Sequence, residues 1–145
     1  TRSSAASDVY KRQDLAINIF KEMKMNISFM EPESHDKHIA YVSHLSHISS
    51  FMLGKTVIDK EKNEKNIFDM AGSGFESTVR LAKSSPKMWT DIFEDNKINI
   101  TRALEDYIHN LNNMRDLIND NKFDELETEL KKINYIKNIL NGINL

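Results

Sequence analysis

The sequence predicts a mainly α fold, a bundle of long helices, and three observations carry this prediction. The 145 residues include only 4 glycines and 2 prolines, so the backbone is seldom interrupted. Apolar residues recur every three or four positions through most of the chain, which is the period of an amphipathic helix. No apolar run approaches the roughly 20 residues that cross a bilayer, so we expect these helices to pack around a core of their own.

Composition excludes several classes of protein. The net charge of −2 gives no broad electrostatic reason to bind nucleic acid or an anionic membrane, and neither is expected as a partner. The chain has no cysteine, which removes disulfides and thiolate metal sites and is compatible with a reducing cytosol. The chain does not open on a basic segment followed by an apolar one, so the sequence predicts no signal peptide. We therefore expect a cytoplasmic protein.

Residues 1–13 are expected to lie outside the folded domain. They are polar and lack a helical or strand period. From Ser3 to Gln13 they match, residue for residue, the in-frame translation of a common transposase sequencing adapter. We interpret the segment as artefactual, with a natural disordered tail as the alternative. On that interpretation the authentic sequence begins near Asp14, and the chain is a fragment of a longer protein.

Residues 14–33 have the pattern of the tail of a βα unit. Apolar positions from Asp14 to Lys24 fit a short helix, and the segment Asn26–Met30 fits one short strand. A single strand cannot pair with itself. We therefore interpret this segment as the remnant of a lost sheet.

Residues 34–145 are expected to form the helical domain. Its longest predicted helix runs from Pro86 to Asn119, because Ser85 can cap it and no proline or glycine interrupts it. At 1.5 Å per residue this helix would be roughly 50 Å long. Its apolar stripe is interrupted near Asn96. A helix longer than its own small domain usually lies against a second chain, which favours a dimer.

The first candidate site is the pair His44 and His47, three residues apart on one predicted helix. Imidazole can donate to an anion, shuttle a proton or bind a metal. The spacing alone favours a structural role, with one histidine in a core hydrogen-bond network and the other in solvent. A metal site is disfavoured, because no cysteine is available and Asp36 or Glu33 would have to supply a third ligand. We expect no metal.

Arg80 and Trp89 are the other candidates. Arg80 lies in a short, largely apolar segment, where an inward guanidinium needs an anionic partner. Either Glu76 pairs with it from the i−4 position, or Arg80 binds a ligand carboxylate through two parallel hydrogen bonds. The residues alone slightly favour Glu76. Trp89 follows the helix start at Pro86, where a lone tryptophan most often belongs to the core.

Five segments, taken in order, resemble the C-terminal domain of prephenate dehydrogenases. They are His35-Asp36, Ser43-His44-Leu45-Ser46-His47, Gly72-Ser73-Gly74-Phe75, Thr78-Val79-Arg80-Leu81-Ala82 and Ser84-Ser85-Pro86-Lys87-Met88-Trp89. Their order and spacing agree with the family from Glu31 to about Asn99, and weaker helical similarity continues to the end. Two positions depart from the family pattern: Ser46 replaces its usual proline, and Ser77 stands where many members carry aspartate.

The resemblance implies an oxidoreductase activity, the NAD-dependent oxidative decarboxylation of prephenate to 4-hydroxyphenylpyruvate on the route to tyrosine. It implies that Arg80 and His47 anchor the substrate, that His44 supports them and that Trp89 shapes the wall of the site. The family's general-base histidine and glycine-rich dinucleotide loop belong to an N-terminal Rossmann-type domain, of which residues 14–33 would be the last piece. NAD, or NADP, would be bound mainly by that missing domain, so this fragment is expected to be inactive alone.

The resemblance also implies a homodimer, because the family's helical domains intertwine, and the long predicted helix agrees with this independently. The alternative is a stand-alone helical dimerisation or adaptor module without catalysis, whose polar residues are structural. The residues leave open whether arogenate is accepted as well as prephenate, and whether tyrosine exerts feedback.

Overall fold

The computed structural model describes residues 2–142, with side chains from residue 8 onward, and every regular element in that part is helical. In chain order the elements are α1 (Arg2–Glu22), α2 (Pro32–Ile39), a π-helical turn (Ala40–His44), α3 (Leu45–Glu61), a 3-10 turn (Phe68–Met70), α4 (Ser73–Val79), a second 3-10 turn (Arg80–Lys83), α5 (Pro86–Asp95), α6 (Lys97–Asn119), α7 (Phe123–Ile133) and α8 (Ile136–Gly142). The prediction of a mainly α fold is therefore confirmed. None of the described helices combines the length and apolar character needed to cross a membrane.

The chain divides into two compact units between residues 35 and 36, and the first unit differs from expectation in two ways. Residues 2–13 are helical rather than irregular, because α1 runs through them to Glu22. A polar helix of this kind is supported by pairs four residues apart, such as Arg12 and Asp8 at 2.9 Å. The strand expected at Asn26–Met30 is wrong: these residues are irregular, and a strand needs a neighbouring strand that the described residues do not contain.

The second unit has a small buried core. Ala40, Ile100 and Ala103 are almost fully buried, and Ile48 and Phe93 pack against them. The core therefore joins the π-helical turn, α3, α5 and α6. Many other large apolar side chains of this unit remain exposed, most of all along α6, α7 and α8.

The single helix predicted from Pro86 to Asn119 is wrong, because the chain breaks it at Asn96. The start is as predicted, with the Ser85 hydroxyl accepting a hydrogen bond from the N–H of Met88 at 3.4 Å. At Asn96 the backbone leaves the helical region, with φ −108° and ψ 27°, so α5 ends and α6 begins. The Asn96 side chain holds this break by bonding to residues far away in sequence.

A π-helical turn changes the phase of the helix that carries both candidate histidines. The extra residue per turn brings Ala40 and His44 inward, while the apolar side chain of Val42 is 73% exposed. Such turns occur often at functional sites. Here the turn buries His44, which is 7% exposed.

Candidate functional site

Two helices bring His44, His47 and Trp89 together. The rings of His47 and Trp89 are stacked, with centroids 3.6 Å apart and planes 26° apart. The ring of His44 meets Trp89 edge to face, with centroids 5.9 Å apart. Phe93 lies one turn beyond Trp89, at 5.5 Å, and connects this cluster to the core. The three residues singled out from the sequence thus form one aromatic cluster between α3 and α5.

The hydrogen bond of His47 fixes which of its ring nitrogens faces a ligand. Its Nδ1 atom lies 2.9 Å from the carbonyl oxygen of Ser43, one turn earlier on the helix. A carbonyl oxygen only accepts, so Nδ1 donates and carries a proton. The other nitrogen, Nε2, is left to accept from a hydroxyl or, in the imidazolium form, to donate to a carboxylate. His47 itself is half-buried.

Trp89 has an unsatisfied polar atom. The residue is 7% exposed, and its indole Nε1 is buried without a hydrogen-bond partner in the described part of the protein. A buried donor left without a partner costs about 1–3 kcal/mol. The indole N–H is therefore a buried donor without an acceptor among the described residues.

Ser50 is the residue that sequence reasoning missed, and it holds the segment that carries Arg80. Its side chain is 2% exposed; the hydroxyl donates to the carbonyl oxygen of Thr78 and accepts from the N–H of Ala82, both at 3.0 Å. Thr78 and Ala82 are four residues apart, so the hydroxyl is inserted into what would be an α-helical hydrogen bond. The chain turns there from α4 into the second 3-10 turn, and Arg80 lies between the two bonded groups.

Gly54 helps this segment approach α3. A β-carbon added at Gly54 would lie 4.0 Å from the β-carbon of Ala82, so the two surfaces are in van der Waals range at this point. Ser50 and Gly54 are four residues apart and share one face of α3. A serine and a glycine four residues apart were the sequence signal for this contact.

Arg80 is exposed, and its guanidinium makes no hydrogen bond or ion pair with the residues that the structure describes. The pairing with Glu76 that the residues alone favoured is not formed, because the Glu76 carboxylate lies 3.4 Å from the Nζ atom of Lys83 instead. The 3-10 geometry after Val79 changes the angular relation between positions 76 and 80. Arg80 is thus left available to an external anion.

The second unit has two open grooves, of which one is lined by Trp89 and the other by none of these four residues. One, of about 590 Å³, runs along α3 and α5 and is lined mainly by apolar residues, among them Phe51 and Trp89. The other, of about 580 Å³, lies between α6 and α7 and is lined by acidic residues that include Asp116 and Glu129. The acidic groove repels an anionic ligand. No group of three or more metal-ligating side chains occurs among the described residues.

Comparison with known proteins identifies the class of this helical unit. The family described as "Prephenate dehydrogenase, dimerization domain" matches residues 31–132, which is 102 of the 145 residues. The chain therefore belongs to the prephenate dehydrogenase family, of which it represents the dimerization domain.

Individual relatives agree with this assignment. The chain is 28% identical over 102 residues to the prephenate dehydrogenase of Bacillus subtilis, covering 68% of this chain and 26% of that protein. It is 29% identical over 114 residues to the cyclohexadienyl dehydrogenase of Zymomonas mobilis, covering 78% of this chain and 39% of that protein. The chain thus spans between a quarter and two fifths of the length of these relatives.

A solved structure shares the fold. The prephenate dehydrogenase of Aquifex aeolicus, in complex with hydroxyphenyl propionate and NAD+, superposes with a TM-score of 0.80 at 34% identity. The match covers 90% of this chain and 46% of the A. aeolicus chain. The resemblance inferred from the five sequence segments is confirmed.

Proposed function

We propose that this chain is the substrate-binding and dimer-forming part of an enzyme that oxidatively decarboxylates prephenate to 4-hydroxyphenylpyruvate, in the cytoplasm, on the route to tyrosine. The observation that carries the proposal is the unpaired, exposed guanidinium of Arg80 on the segment that Ser50 fastens to the His47 helix. Prephenate carries two carboxylates, so its site needs cationic and N–H donors. An arginine fork binds a carboxylate through two parallel hydrogen bonds.

Each of the four candidate residues has a proposed role, supported by ring contacts for the two histidines and Trp89 and by an unpaired charge for Arg80. Arg80 anchors a carboxylate. His47 is held by Ser43 and by the stack on Trp89, and it presents Nε2 to a substrate oxygen. Trp89 forms the wall of the site, against the rings of both histidines. His44, which is buried at the edge of the same indole, supports the orientation of the cluster.

In this reaction the ring carbon that bears the hydroxyl loses a hydride, the ring carboxylate leaves as CO2, and the ring becomes aromatic. NAD, or NADP, supplies the acceptor for the hydride when bound. The part of the chain that the structure describes contains no strand leading into a glycine-rich turn, which is the cradle that such a cofactor needs. We therefore propose that the cofactor and the general base are provided by a nucleotide-binding domain outside this sequence, and that the chain alone is inactive. The NAD+ bound to the A. aeolicus relative supports this choice of cofactor.

Kinetics of Arg80→Lys test the substrate site in a protein that joins this chain to its nucleotide-binding domain. Lysine keeps the charge but loses the fork, so a charged hydrogen bond worth about 1.5–3 kcal/mol is lost, and the Michaelis constant for prephenate rises about 10- to 100-fold. Lys83→Gln is the matched control, because Lys83 lies on the same 3-10 turn and is also exposed. Equal constants for wild type and Arg80→Lys would remove Arg80 from the site.

The alternative function is a helical dimerisation module without catalysis. The DNA immediately upstream of the Asp14 codon distinguishes the two. An in-frame strand, a Gly-x-Gly-x-x-Gly turn and a candidate base histidine would support the enzyme. A start codon at that point, or a genomic origin of residues 3–13, would support the module instead.

We further propose that the chain forms a homodimer through its long helices. Large apolar side chains on the last three helices are each 44–57% exposed, namely Ile108, Leu111, Ile118, Leu130, Ile133, Ile136, Ile139 and Leu140. Exposed apolar side chains in such number on neighbouring segments favour an interaction site in a soluble protein. The membership in a dimerization-domain family supports a second copy as the occupant.

Sedimentation equilibrium tests the dimer. Ile133→Glu places a charge among these exposed apolar side chains, and burying it unpaired in an interface would cost several kcal/mol, so we expect a monomer at micromolar concentration. Met70→Glu is the control, because Met70 is 87% exposed and lies on a separate 3-10 turn. A wild-type chain that sediments as a monomer, or an Ile133→Glu variant that stays dimeric, would contradict this interface.

A further inference from the structure

Both polar atoms of the Asn96 side-chain amide have partners at the break between α5 and α6. Its Nδ2 atom donates to the carbonyl oxygen of Asp36 at 2.8 Å and lies 3.3 Å from Nδ1 of His44. Its Oδ1 atom accepts from the side-chain amide of Asn99 at 2.7 Å. One half-buried side chain therefore connects the helix break to two residues that lie 60 and 52 positions earlier.

The orientation of this amide follows from its partners. The carbonyl oxygen of Asp36 only accepts, so the amide nitrogen of Asn96, and not its oxygen, must face it. The second hydrogen of the same nitrogen is then directed at Nδ1 of His44. That ring atom must accept, so it carries a lone pair and the proton of the neutral ring lies on Nε2.

We propose that Asn96 is a positioning residue that fixes the tautomer and orientation of His44. This inference rests on the proposed function to the extent that it places the oriented His44 ring at the edge of the substrate site. His44 is 7% exposed and lies edge to face with Trp89, so its ring has little room to reorient. The contact between Nδ1 and Asn96 holds the His44 ring beside an indole that is itself stacked on His47.

The break in the long helix is the structural means of this positioning. An uninterrupted helix would give Asn96 helical backbone angles, whereas the observed φ of −108° and ψ of 27° accompany the contacts with Asp36 and His44. The helix break and the histidine tautomer therefore depend on the same amide. If Asn96 were purely structural, it would hold the helix break, but it would not determine which ring nitrogen of His44 carries the proton.

Long-range nitrogen–proton NMR correlation on the 145-residue chain, labelled with 15N-histidine, distinguishes these roles. We expect His44 to show a pyridine-type Nδ1 and a pyrrole-type Nε2. In Asn96→Asp the new carboxylate only accepts, so Nδ1 becomes the protonated atom and its pyridine-type signal is lost. Asn99→Ala is the control, because it removes the bond to Oδ1 and leaves the N–H that faces His44. Far-UV circular dichroism establishes that each variant remains helical.

A protonated Nδ1 in the wild-type spectrum would overturn the proposal without any variant, and so would an unchanged tautomer in a folded Asn96→Asp chain. The spectra are recorded without prephenate, so the result for the tautomer does not depend on whether the chain binds this substrate. In the protein joined to its nucleotide-binding domain, Asn96→Asp should raise the Michaelis constant for prephenate about tenfold, and Asn99→Ala should not. A switched tautomer with unchanged kinetics would overturn the role in the substrate site, even where Arg80→Lys confirms that site.

Discussion

Removal of the Ser50 hydroxyl tests whether the Arg80 segment is held as described. In Ser50→Ala the carbonyl of Thr78 and the N–H of Ala82 both lose their partner in a place where the side chain is only 2% exposed. Each neutral hydrogen bond contributes about 1 kcal/mol net, so the expected loss in the free energy of unfolding is about 2 kcal/mol. With a urea dependence of about 2 kcal/mol/M, the unfolding midpoint falls by about 1 M.

Urea unfolding followed by circular dichroism measures this loss, at one protein concentration for all variants because the proposed dimerisation would stabilise the fold. Ser49→Ala is the matched control, since the Ser49 hydroxyl bonds only to the Leu45 carbonyl of its own helix, at 2.7 Å. We expect that control to lose no more than about 0.5 kcal/mol. Equal losses for Ser49→Ala and Ser50→Ala would refute the reasoning, because the Thr78 carbonyl and the Ala82 N–H would then satisfy each other directly.

Two further predictions concern the charged groups of the second unit. The Glu61 carboxylate accepts hydrogen bonds from the backbone N–H groups of residues 66–68 at 2.7–3.2 Å, so Glu61→Ala should lower the free energy of unfolding by about 2 kcal/mol. The control Glu64→Ala, at an exposed residue, should lower it by about 0.5 kcal/mol or less. Similar losses for the two variants in urea unfolding would contradict this prediction. The hydrogen bond to Asp106, 2.6 Å long, raises the pKa of Tyr41 above its ordinary value of 10.0, with smaller contributions from desolvation and from the Asp106 charge. The raised pKa means that this bond's stabilisation is present below pH 10 and is lost as the pH rises through the folded-state value. Ultraviolet titration of tyrosinate should show one late-titrating tyrosine that shifts down in Asp106→Asn, and an unchanged titration curve would argue against the bond.

Several helix ends could be predicted from residues adjacent in the sequence. The cap at Ser85 with proline at the next position needs only two adjacent residues, and the structure has the helix start there. The end of α6 near Asn119 is also local, because Asn121 adopts a left-handed φ of 58° and the N–H of Lys122 bonds back to Leu117 at 2.9 Å. Features that depend on neighbouring residues were therefore within reach of sequence analysis.

The candidate site was only partly within reach. Four of its residues could be named from motifs that resemble a known family, and the structure brings His44, His47 and Trp89 into contact. Arg80 was assigned a local partner from its spacing to Glu76, and that partner is absent because α4 ends at Val79 and Arg80 begins a 3-10 turn. Helical spacing rules hold only while the helix stays α, and neither the π-helical turn nor the 3-10 turn has a signal in the apolar pattern.

The sequence by itself determined the helical class, the family and the residue types of the site, because helix propensity, apolar period and short motifs are local properties. The tertiary structure alone decided the break at Asn96, the burial of His44 and the two hydrogen bonds of the Ser50 hydroxyl. The deciding partners of these residues lie 28 to 60 positions away, at Thr78, Ala82, Asp36 and His44. In the sequence, a polar side chain on an apolar stripe looks only like an interruption of that stripe. Its role becomes clear when the structure shows the distant residues that hydrogen-bond to it, because buried polar groups are nearly always hydrogen bonded.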